Sequence, residues 1–292
     1  MAGLKEIRTR IGSIKTTRQV TSAMKMVSAA KLKKAQDAIL QIRPYAEKLH
    51  EILVSLSSSL EEIQDSVYTK NRDPEKVLII LISSNRGLCG GFNLNISKKA
   101  VEHVQTHYSM QYQLGDVHFL CIGKQGERQI KIRGMEVTGS NHDLFDHLDF
   151  EHVNELATSI MQAFAEGSYD RVDVVYNQFQ NAAVQINAAE QFLPIKMKKG
   201  ENSISGSGYI FEPSREYIVR ELIPRSLKIQ FYKAFLDSHA AEHGARMTAM
   251  HQATDNATDL LKELTLQYNK ERQASITNEI LEIVSGAEAL NG

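Results

Sequence analysis

The sequence predicts a mixed fold of α+β and α/β character, in which a long antiparallel coiled coil of N- and C-terminal helices adjoins a central Rossmann-like α/β domain. All five prolines of the 292 residues lie between Pro44 and Pro224, so both ends of the chain lack proline. Both ends are also rich in residues that favour helix. The middle alternates apolar, strand-like runs with helical patterns, which is typical of a largely parallel sheet.

The N-terminal stretch carries a narrow apolar seam. Leu4, Ile7, Ile11 and Ile14 repeat at spacings of three and four residues, which predicts a coiled-coil seam rather than a broad core-facing side. Pro44 is expected to kink or interrupt the helix. We therefore expect an N-terminal coiled-coil helix, kinked near Pro44, at residues 1–65.

The C-terminal stretch, at residues 210–292, is predicted to supply the second helix of the coiled coil. Its helical stripe consists of Leu260, Leu261, Leu264, Tyr268, Ile276, Ile280 and Ile283. About 60 helical residues would extend roughly 90 Å, which is longer than a compact domain of this mass. Two long helices with compatible seams favour an antiparallel pair.

The central α/β domain is predicted at residues 75–200. Strands are expected at 76–83, 117–122, 171–179 and 183–192, and helices at about 97–108, 125–132 and 150–165. The first strand is continuously apolar, as in a sheet that is covered on both faces.

The net charge of −1 hides a difference between the two ends of the chain. Nine cations and one acidic residue lie between Met1 and Gln36, whereas nine acidic residues and six cations follow from Lys228 onwards. The first helix is therefore expected to need an acidic neighbour. No apolar run approaches the roughly 20 residues that span a bilayer.

A glycine-rich segment, SSNRGLCGGFN, follows the first central strand and could cradle a phosphate at a helix N-terminus. Its glycines, Gly87, Gly90 and Gly91, fit neither GxGxxG nor GxxxxGK[ST]. A structural turn is the favoured interpretation. Cys89 in this segment and the distant Cys121 are expected to be small buried thiols, since there is no CxxC motif.

The segment His239-Ala-Ala-Glu242-His243 matches the HxxEH pattern of one class of zinc proteases. On a helix the two histidines fall on one face, as zinc ligation needs. The surrounding sequence is rich in alanine and shows no sign of a cleft, so a solvated helix face is favoured. We expect no catalytic, cofactor-binding or metal-binding residues.

Three interpretations of the basic N-terminal segment stay open: a surface for acidic protein, a nucleic-acid contact, and an organellar transit peptide. The seam that continues to Ile14 argues for permanent structure rather than a removable leader. No aromatic residue interleaves the cations in the first 40 residues, which disfavours nucleic acid.

Six segments together resemble the γ subunit family of F-type ATP synthases. They are LKEIRTRIGSIKTTRQVTSAMKMVSAAKLKKAQ, RPYAEKL, SSNRGLCGGFN, YIFEP, GARMTAMHQATDNA and YNKERQASITNEILEIVSGA. The segments occur in the family's order and cover essentially the whole chain. One departure is Asn85, where many members of the family have Asp before RGLCG.

The resemblance implies a rotary shaft that couples ion flow, expected to be of protons, through the c-ring to ATP synthesis or hydrolysis at the β subunits, with a part in regulating ATPase activity. It implies no catalytic site and no cofactor in this chain. The implied partners are the α and β subunits, the ε subunit and the c-ring, without nucleic acid and without self-association. The implied place is the cytoplasmic face of the bacterial inner membrane, as a peripheral protein.

The resemblance also assigns partner contacts to particular residues. Contacts with the β subunits are assigned to Met24, Lys25, Arg246, Arg272, Gln273, Thr277 and Glu279. Of these, Met24 and Lys25 are to meet an acidic lever loop, whereas Arg272 and Gln273 are to engage a catch loop. Phe211 and Glu212 are assigned to the foot that contacts the c-ring and ε.

Two other functions stay open from the residues alone. The chain could be an α/β nucleotide-binding enzyme that dimerises through its terminal helices. It could also be a coiled coil that binds nucleic acid, in which case its affinity would fall steeply with salt.

Overall fold

The computed structural model describes residues 2–57, 67–145, 148–195 and 215–291. The elements are α1 (Ala2–Ser57), β1 (Val77–Ile82), α2 (Phe92–His107), α3 (Ser109–Leu114), β2 (Val117–Ile122), α4 (Lys124–Ile132), β3 (Val137–Asn141), α5 (Phe150–Ala165), β4 (Arg171–Phe179), β5 (Gln185–Leu193) and α6 (Arg215–Asn291). A short 3-10 helix, Asp143–Phe145, follows β3. The predicted fold class is confirmed, since the long helices α1 and α6 come before and after a central α/β region in the sequence.

Contacts divide the chain into two units, and the division cuts both terminal helices. One unit is Met1–Ser28 with Met247–Gly292, and the other is Ala29–Arg246. The division expected from the sequence, at 1–65, 75–200 and 210–292, stays a prediction.

The second unit contains a five-stranded sheet with the strand order β3-β2-β1-β4-β5. The three pairs formed by β1 to β4 are parallel, and only the β4–β5 pair is antiparallel. The predicted strands at 117–122 and 171–179 have the observed bounds. The edge strand β3 and the short helix α3 were not predicted, because neither has an apolar run or a helical stripe.

Both faces of β1 are buried, as its continuous apolar sequence predicts. Leu78, Ile80 and Ile82 pack in a cluster with residues of α5 and α6, among them Phe164 and Phe235. Val77, Ile79 and Leu81 pack on the other face, with residues of α2 and α4 that include Ile96, Val104 and Ile130. The sheet is thus a middle layer between two helical layers.

The helices α1 and α6 run antiparallel within the second unit. The Arg225 guanidinium lies 5.7 Å from the centre of the Tyr45 ring, while Lys31, earlier in α1, acts electrostatically on His239, later in α6. The helix α1 continues through Pro44, so this proline does not interrupt it.

Within the first unit, Thr254 Oγ1 donates a hydrogen bond of 2.8 Å to Thr21 Oγ1 and joins the two helices. The seam residues Leu4, Ile7, Ile11 and Ile14 are half-buried, whereas most residues between them are exposed. A narrow coiled-coil seam explains this alternation. Among the described residues, no helix is both long enough and apolar enough to cross a membrane.

Candidate partner-contact sites

The helix α6 occupies the crevice at the carboxyl edge of the sheet. The helices α2 and α5 cover opposite faces, so the direction of the crossovers reverses between β1 and β4. Doubly wound folds bind ligands in the crevice at such a point. Here Arg246 of α6 contacts the turn after β1, and Gly244 approaches Ala182, just beyond β4. The chain's own helix therefore fills the position that a nucleotide would take.

Arg246 fastens α6 to the glycine-rich turn. Its Nη2 donates hydrogen bonds to the carbonyl oxygens of Arg86 at 3.0 Å and Gly87 at 3.1 Å. Its Nη1 donates to Glu242 Oε1 at 2.5 Å, one helical turn away. Burial raises the pKa of Glu242, and the neighbouring Arg246 guanidinium opposes that rise. Both side chains are nearly buried, so they depend on each other for charge compensation.

Hydrogen bonds and packing within the glycine-rich turn also stabilise it. Ser84 Oγ donates to the Arg86 carbonyl at 2.7 Å, and Asn93 Nδ2 donates to Cys89 Sγ at 3.2 Å. Cys89 packs with Phe92 and Ala241 in a small apolar cluster. The structural interpretation of the turn therefore agrees with its packing.

The prediction of small buried thiols is confirmed for both cysteines, which are free and buried. Burial raises the pKa of Cys89, and it raises that of Cys121 to about 12.

The prediction of a solvated face for the HxxEH segment is wrong. The Nε2 atoms of His239 and His243 lie 3.1 Å apart, and Glu242 pairs with Arg246. Burial, followed by nearby cations such as Lys31, lowers the pKa of His239 to about 4. Burial and the adjacent His239 lower the pKa of His243 to about 3. Within the described ranges, no three His, Cys, Asp or Glu side chains are grouped to hold a metal ion.

Met24 and Lys25 lie half-buried on α1 in the first unit. The next two residues, Met26 and Val27, are 63% and 59% exposed. The Met24 carbonyl accepts a hydrogen bond of 2.8 Å from Ser28 Oγ. This part of α1 therefore offers a mixed basic and apolar surface.

Arg272, Gln273, Thr277 and Glu279 are all exposed on α6. Within this group, Thr277 Oγ1 donates a hydrogen bond of 2.9 Å to the Gln273 carbonyl. Thr254 of α6 contacts Thr21 of α1, one helical turn from Met24. Because Arg272 lies about 27 Å along α6 from Thr254, this group is far from Met24 and Lys25.

The C-terminal part of the predicted seam is not buried within the chain. Ile276, Ile280 and Ile283 are 48%, 55% and 71% exposed. The antiparallel register explains this exposure: because Thr21 lies opposite Thr254, the first described residue of α1, Ala2, falls opposite about residue 273 of α6, and the three isoleucines lie beyond it. Leu264 is the last buried seam residue of α6 in the described ranges.

Arg246 differs from the other assigned contact residues because only 6% of it is exposed. Phe211 and Glu212 lie outside the described residues. Sequence reasoning missed Glu242 as the partner of Arg246, although the four-residue spacing on a helix is a usable signal. It also did not predict the left-handed backbone conformation of Leu88, because only the neighbouring glycines indicate it.

These features define a class of protein: a chain whose terminal helices form a coiled coil and whose Rossmann-like sheet has its ligand crevice occupied by a helix of the same chain. The sequence model of the family described as ATP synthase matches residues 3–290. The ATP synthase gamma chain of Flavobacterium johnsoniae is 56% identical over 292 residues, which is 100% of both chains. That of Cytophaga hutchinsonii is 52% identical over 294 residues, again covering 100% of both chains.

A solved chain of the Euglena gracilis mitochondrial ATP synthase, from its OSCP/F1/c-ring part in rotational state 3, shares the fold. The TM-score is 0.70 at 21% identity, over 99% of this chain and 95% of that one. The chain belongs to the ATP synthase gamma chain family.

Proposed function

We propose that this chain is the rotary shaft of an F-type ATP synthase, coupling ion flow through the c-ring to ATP synthesis or hydrolysis and taking part in regulating ATPase activity. The observation that carries this proposal is the full-length identity of 56% to an ATP synthase gamma chain. The exposed end of α6, which mixes apolar and polar residues beyond its α1 partner, supports it. Such a surface on an isolated helix is suited to burial by other subunits that surround the helix.

We propose that the chain itself is not catalytic and that catalysis takes place in the β subunits. The position of α6 in the crevice at the carboxyl edge supports this, since a nucleotide would have to displace Arg246 and Gly244. The shaft would act by making different contacts with each β subunit, which biases their conformations.

The proposed partners are the α and β subunits, the ε subunit and the c-ring. The Euglena structure is described as containing F1 and c-ring parts, which supports the same setting here. The proposed place is the cytoplasmic face of a bacterial inner membrane, held there through the complex.

The contact residues divide into three proposed groups. Met24 and Lys25 would meet acidic lever loops. Exposed cations nearer the N-terminus of α1, such as Lys5, Arg8 and Arg10, would add to the attraction. Arg272, Gln273, Thr277 and Glu279 would meet a catch loop, because they are exposed at or beyond the last part of α6 that pairs with α1. Phe211 and Glu212 would belong to the c-ring and ε contact.

Co-expression with α and β subunits tests this function. We expect the full chain to co-purify with them in a complex that hydrolyses ATP, while the purified chain alone shows no turnover. ATPase activity that follows this chain through purification in the absence of β would contradict the proposal. Tight nucleotide binding by the isolated chain would favour the nucleotide-binding enzyme instead.

A further inference from the structure

The helix α2 covers a face of the sheet that is apolar in one part and polar in another. Val104 of α2 packs in a cluster with Ile79 of β1, as in an ordinary core. The neighbouring strand β4 turns Asp173 and Asn177 to the same face, where they are 2% and 1% exposed. Apolar burial therefore accounts for only part of the contact between α2 and the sheet.

The polar part contains buried atoms that lack hydrogen-bond partners. Within the described ranges they include Ser97 Oγ on α2 and, on β4, Asp173 Oδ1 and Asn177 Nδ2. A buried polar group without a partner lowers stability, whereas water hydrogen-bonds the same group once it is exposed. Opening of α2 would therefore provide hydrogen bonds that the closed state leaves unmade.

The opposite face of β4 is packed differently. Val172 and Val174 lie there in a cluster with Phe164 of α5 and Phe231 of α6. Removing such side chains from water favours the closed state. The two helical layers therefore differ in how strongly apolar burial holds them against the sheet.

One carboxylate holds the C-terminal end of α2. Asp173 Oδ2 accepts a hydrogen bond of 2.7 Å from the hydroxyl of Tyr108, the residue after α2, and lies 2.6 Å from His103 Nε2. Burial, followed by the charge of Asp173 and its hydrogen bond, raises the pKa of Tyr108, while Arg171 opposes the rise. The Tyr108 hydroxyl therefore stays protonated and donates to Asp173.

The N-terminal end of α2 is attached within the glycine-rich turn. Asn93 Oδ1 accepts a hydrogen bond of 3.0 Å from the backbone N–H of Ser84, and Asn93 Nδ2 donates to Cys89 Sγ. At the other end the chain continues into α3, in which no residue is buried and Gln111 donates to the Pro74 carbonyl at 2.7 Å. Opening of α2 is therefore expected to start at its C-terminal end.

We propose that α2 is a releasable cover of the sheet, held at its C-terminal end by Asp173. By this we mean that α2 detaches locally from the sheet while α5 stays in place on the opposite face. Regions with weaker apolar burial open at a lower free energy than the whole fold. The inference is independent of the proposed function, since it concerns a motion within the second unit of the isolated chain.

Thiol labelling of the full chain under native conditions tests the inference with a matched pair of probes. Val104→Cys and Val153→Cys each replace a valine that is 0% exposed, on the 16-residue helices α2 and α5 respectively. We expect the Val104→Cys variant to be labelled about ten-fold faster at the new thiol. Peptide mapping separates this label from any at Cys89 and Cys121.

The role of Asp173 is tested by removing one hydroxyl group. Tyr108→Phe should raise the labelling rate of Val104→Cys about ten-fold, because a hydrogen bond to a charged group is lost, and should leave that of Val153→Cys unchanged. Tyr112→Phe is the matched control, since it removes a hydroxyl from a residue on α3 that is 38% exposed. It should change neither rate.

Hydrogen exchange of the parent chain gives a second measurement that needs no substitution. We expect the backbone amides of α2 to exchange faster than those of α5. Equal exchange in the two helices, or equal labelling of the two cysteine variants, would overturn the inference. An equal rise at both probes with Tyr108→Phe would show that Asp173 stabilises the whole fold rather than the position of α2.

Discussion

Asp237 is a buried carboxylate on α6, only 4% exposed. Burial raises its pKa to about 6, Lys233 and Arg43 pull the pKa down, and Glu190 pushes it up. Tyr176 donates a hydrogen bond of 3.0 Å to Glu190 Oε1 across the neighbouring strands. Burial therefore disfavours the ionised form of Asp237 more than the two cations favour it.

The folded pKa of Asp237 lies above its ordinary value of 3.8, so the folded chain binds the proton more tightly than the unfolded chain does. The contribution of Asp237 to the free energy of unfolding should therefore fall as the pH rises from about 4 to about 6, by on the order of 3 kcal/mol. Asp237→Asn should remove this loss. We expect its melting temperature, relative to the parent chain, to rise between pH 4 and pH 7.

The control is Asp259→Asn, which alters a carboxylate that is 71% exposed in a surface pair with Lys262. It should show no comparable dependence on pH. A constant difference between Asp237→Asn and the parent chain over this range would show that burial does not govern the carboxyl group.

At the scale of single residues, the resemblance assigned Arg246 to a contact with the β subunits, but the sequence did not predict the residues that surround it. Arg86 and Gly87, which accept its hydrogen bonds, lie 160 and 159 positions earlier in the chain. Neither periodicity nor spacing carries that information. The burial of His239 and His243 was unpredictable for the same reason, because it depends on which face of α6 meets the sheet.

At the scale of elements, apolar runs and helical stripes predicted the buried strands and the longer helices well. The helix α5 has the predicted bounds, because its stripe repeats over four turns. The strand β3, with the sequence VTGSN, has one apolar residue besides its glycine and pairs with only one neighbour. Edge strands of this kind take their conformation from the adjacent strand rather than from their own sequence.

Gly244 is the residue that lets α6 approach the β4–β5 hairpin. A Cβ atom there would lie 3.2 Å from Ala182 Cα and 3.3 Å from its carbonyl oxygen. These are backbone atoms of the turn between β4 and β5, which would have to shift by a few tenths of an ångström to admit a methyl group. Glycine therefore suits this position in spite of its low helix propensity.

We expect Gly244→Ala to lower the melting temperature of the isolated chain, because the steric conflict outweighs the gain of about 1 kcal/mol in helix propensity. Gly12→Ala is the matched control, since nothing lies within 4 Å of the Cβ position on α1. It should raise the melting temperature. Equal stabilisation by both changes would show that the hairpin yields to α6.

At the scale of the whole molecule, the two ends of the chain differ in charge, and the C-terminal part of α6 exposes several apolar side chains. The basic N-terminal residues of α1 and the exposed residues of α6 beyond Leu264 both belong to the first unit. The coiled coil was predictable from its seam, but the point at which α6 loses its partner was not. That point depends on the register between the helices, which Thr21 and Thr254 mark.

The exposed group at Arg272 and Gln273 allows a prediction that separates assembly from folding. We expect Arg272→Ala with Gln273→Ala to leave the helical content of the isolated chain nearly unchanged, since both side chains are exposed. In the complex the two substitutions should lower the ATPase rate or the stability, because the proposed bond from the forked Arg272 guanidinium to a carboxylate of a β subunit would be lost.

Circular dichroism of the isolated chain and ATPase assays of the complex would measure the two effects. Lys262→Ala, which alters a cation that is 71% exposed on the same helix, should change neither. Normal hydrolysis, pumping and complex stability in the double variant would mean that these residues form a solvated surface.

The helix that fills the crevice of the sheet has a consequence for signalling. Because α6 belongs to the same chain as the sheet, its local concentration at the crevice does not change when the protein is diluted, and it cannot be exchanged for another molecule. A dissolved nucleotide could enter only after α6 had been pulled away from Arg86, Gly87 and Ala182. If the proposed function holds, this part of the chain would respond to force from neighbouring subunits rather than to the concentration of a dissolved nucleotide.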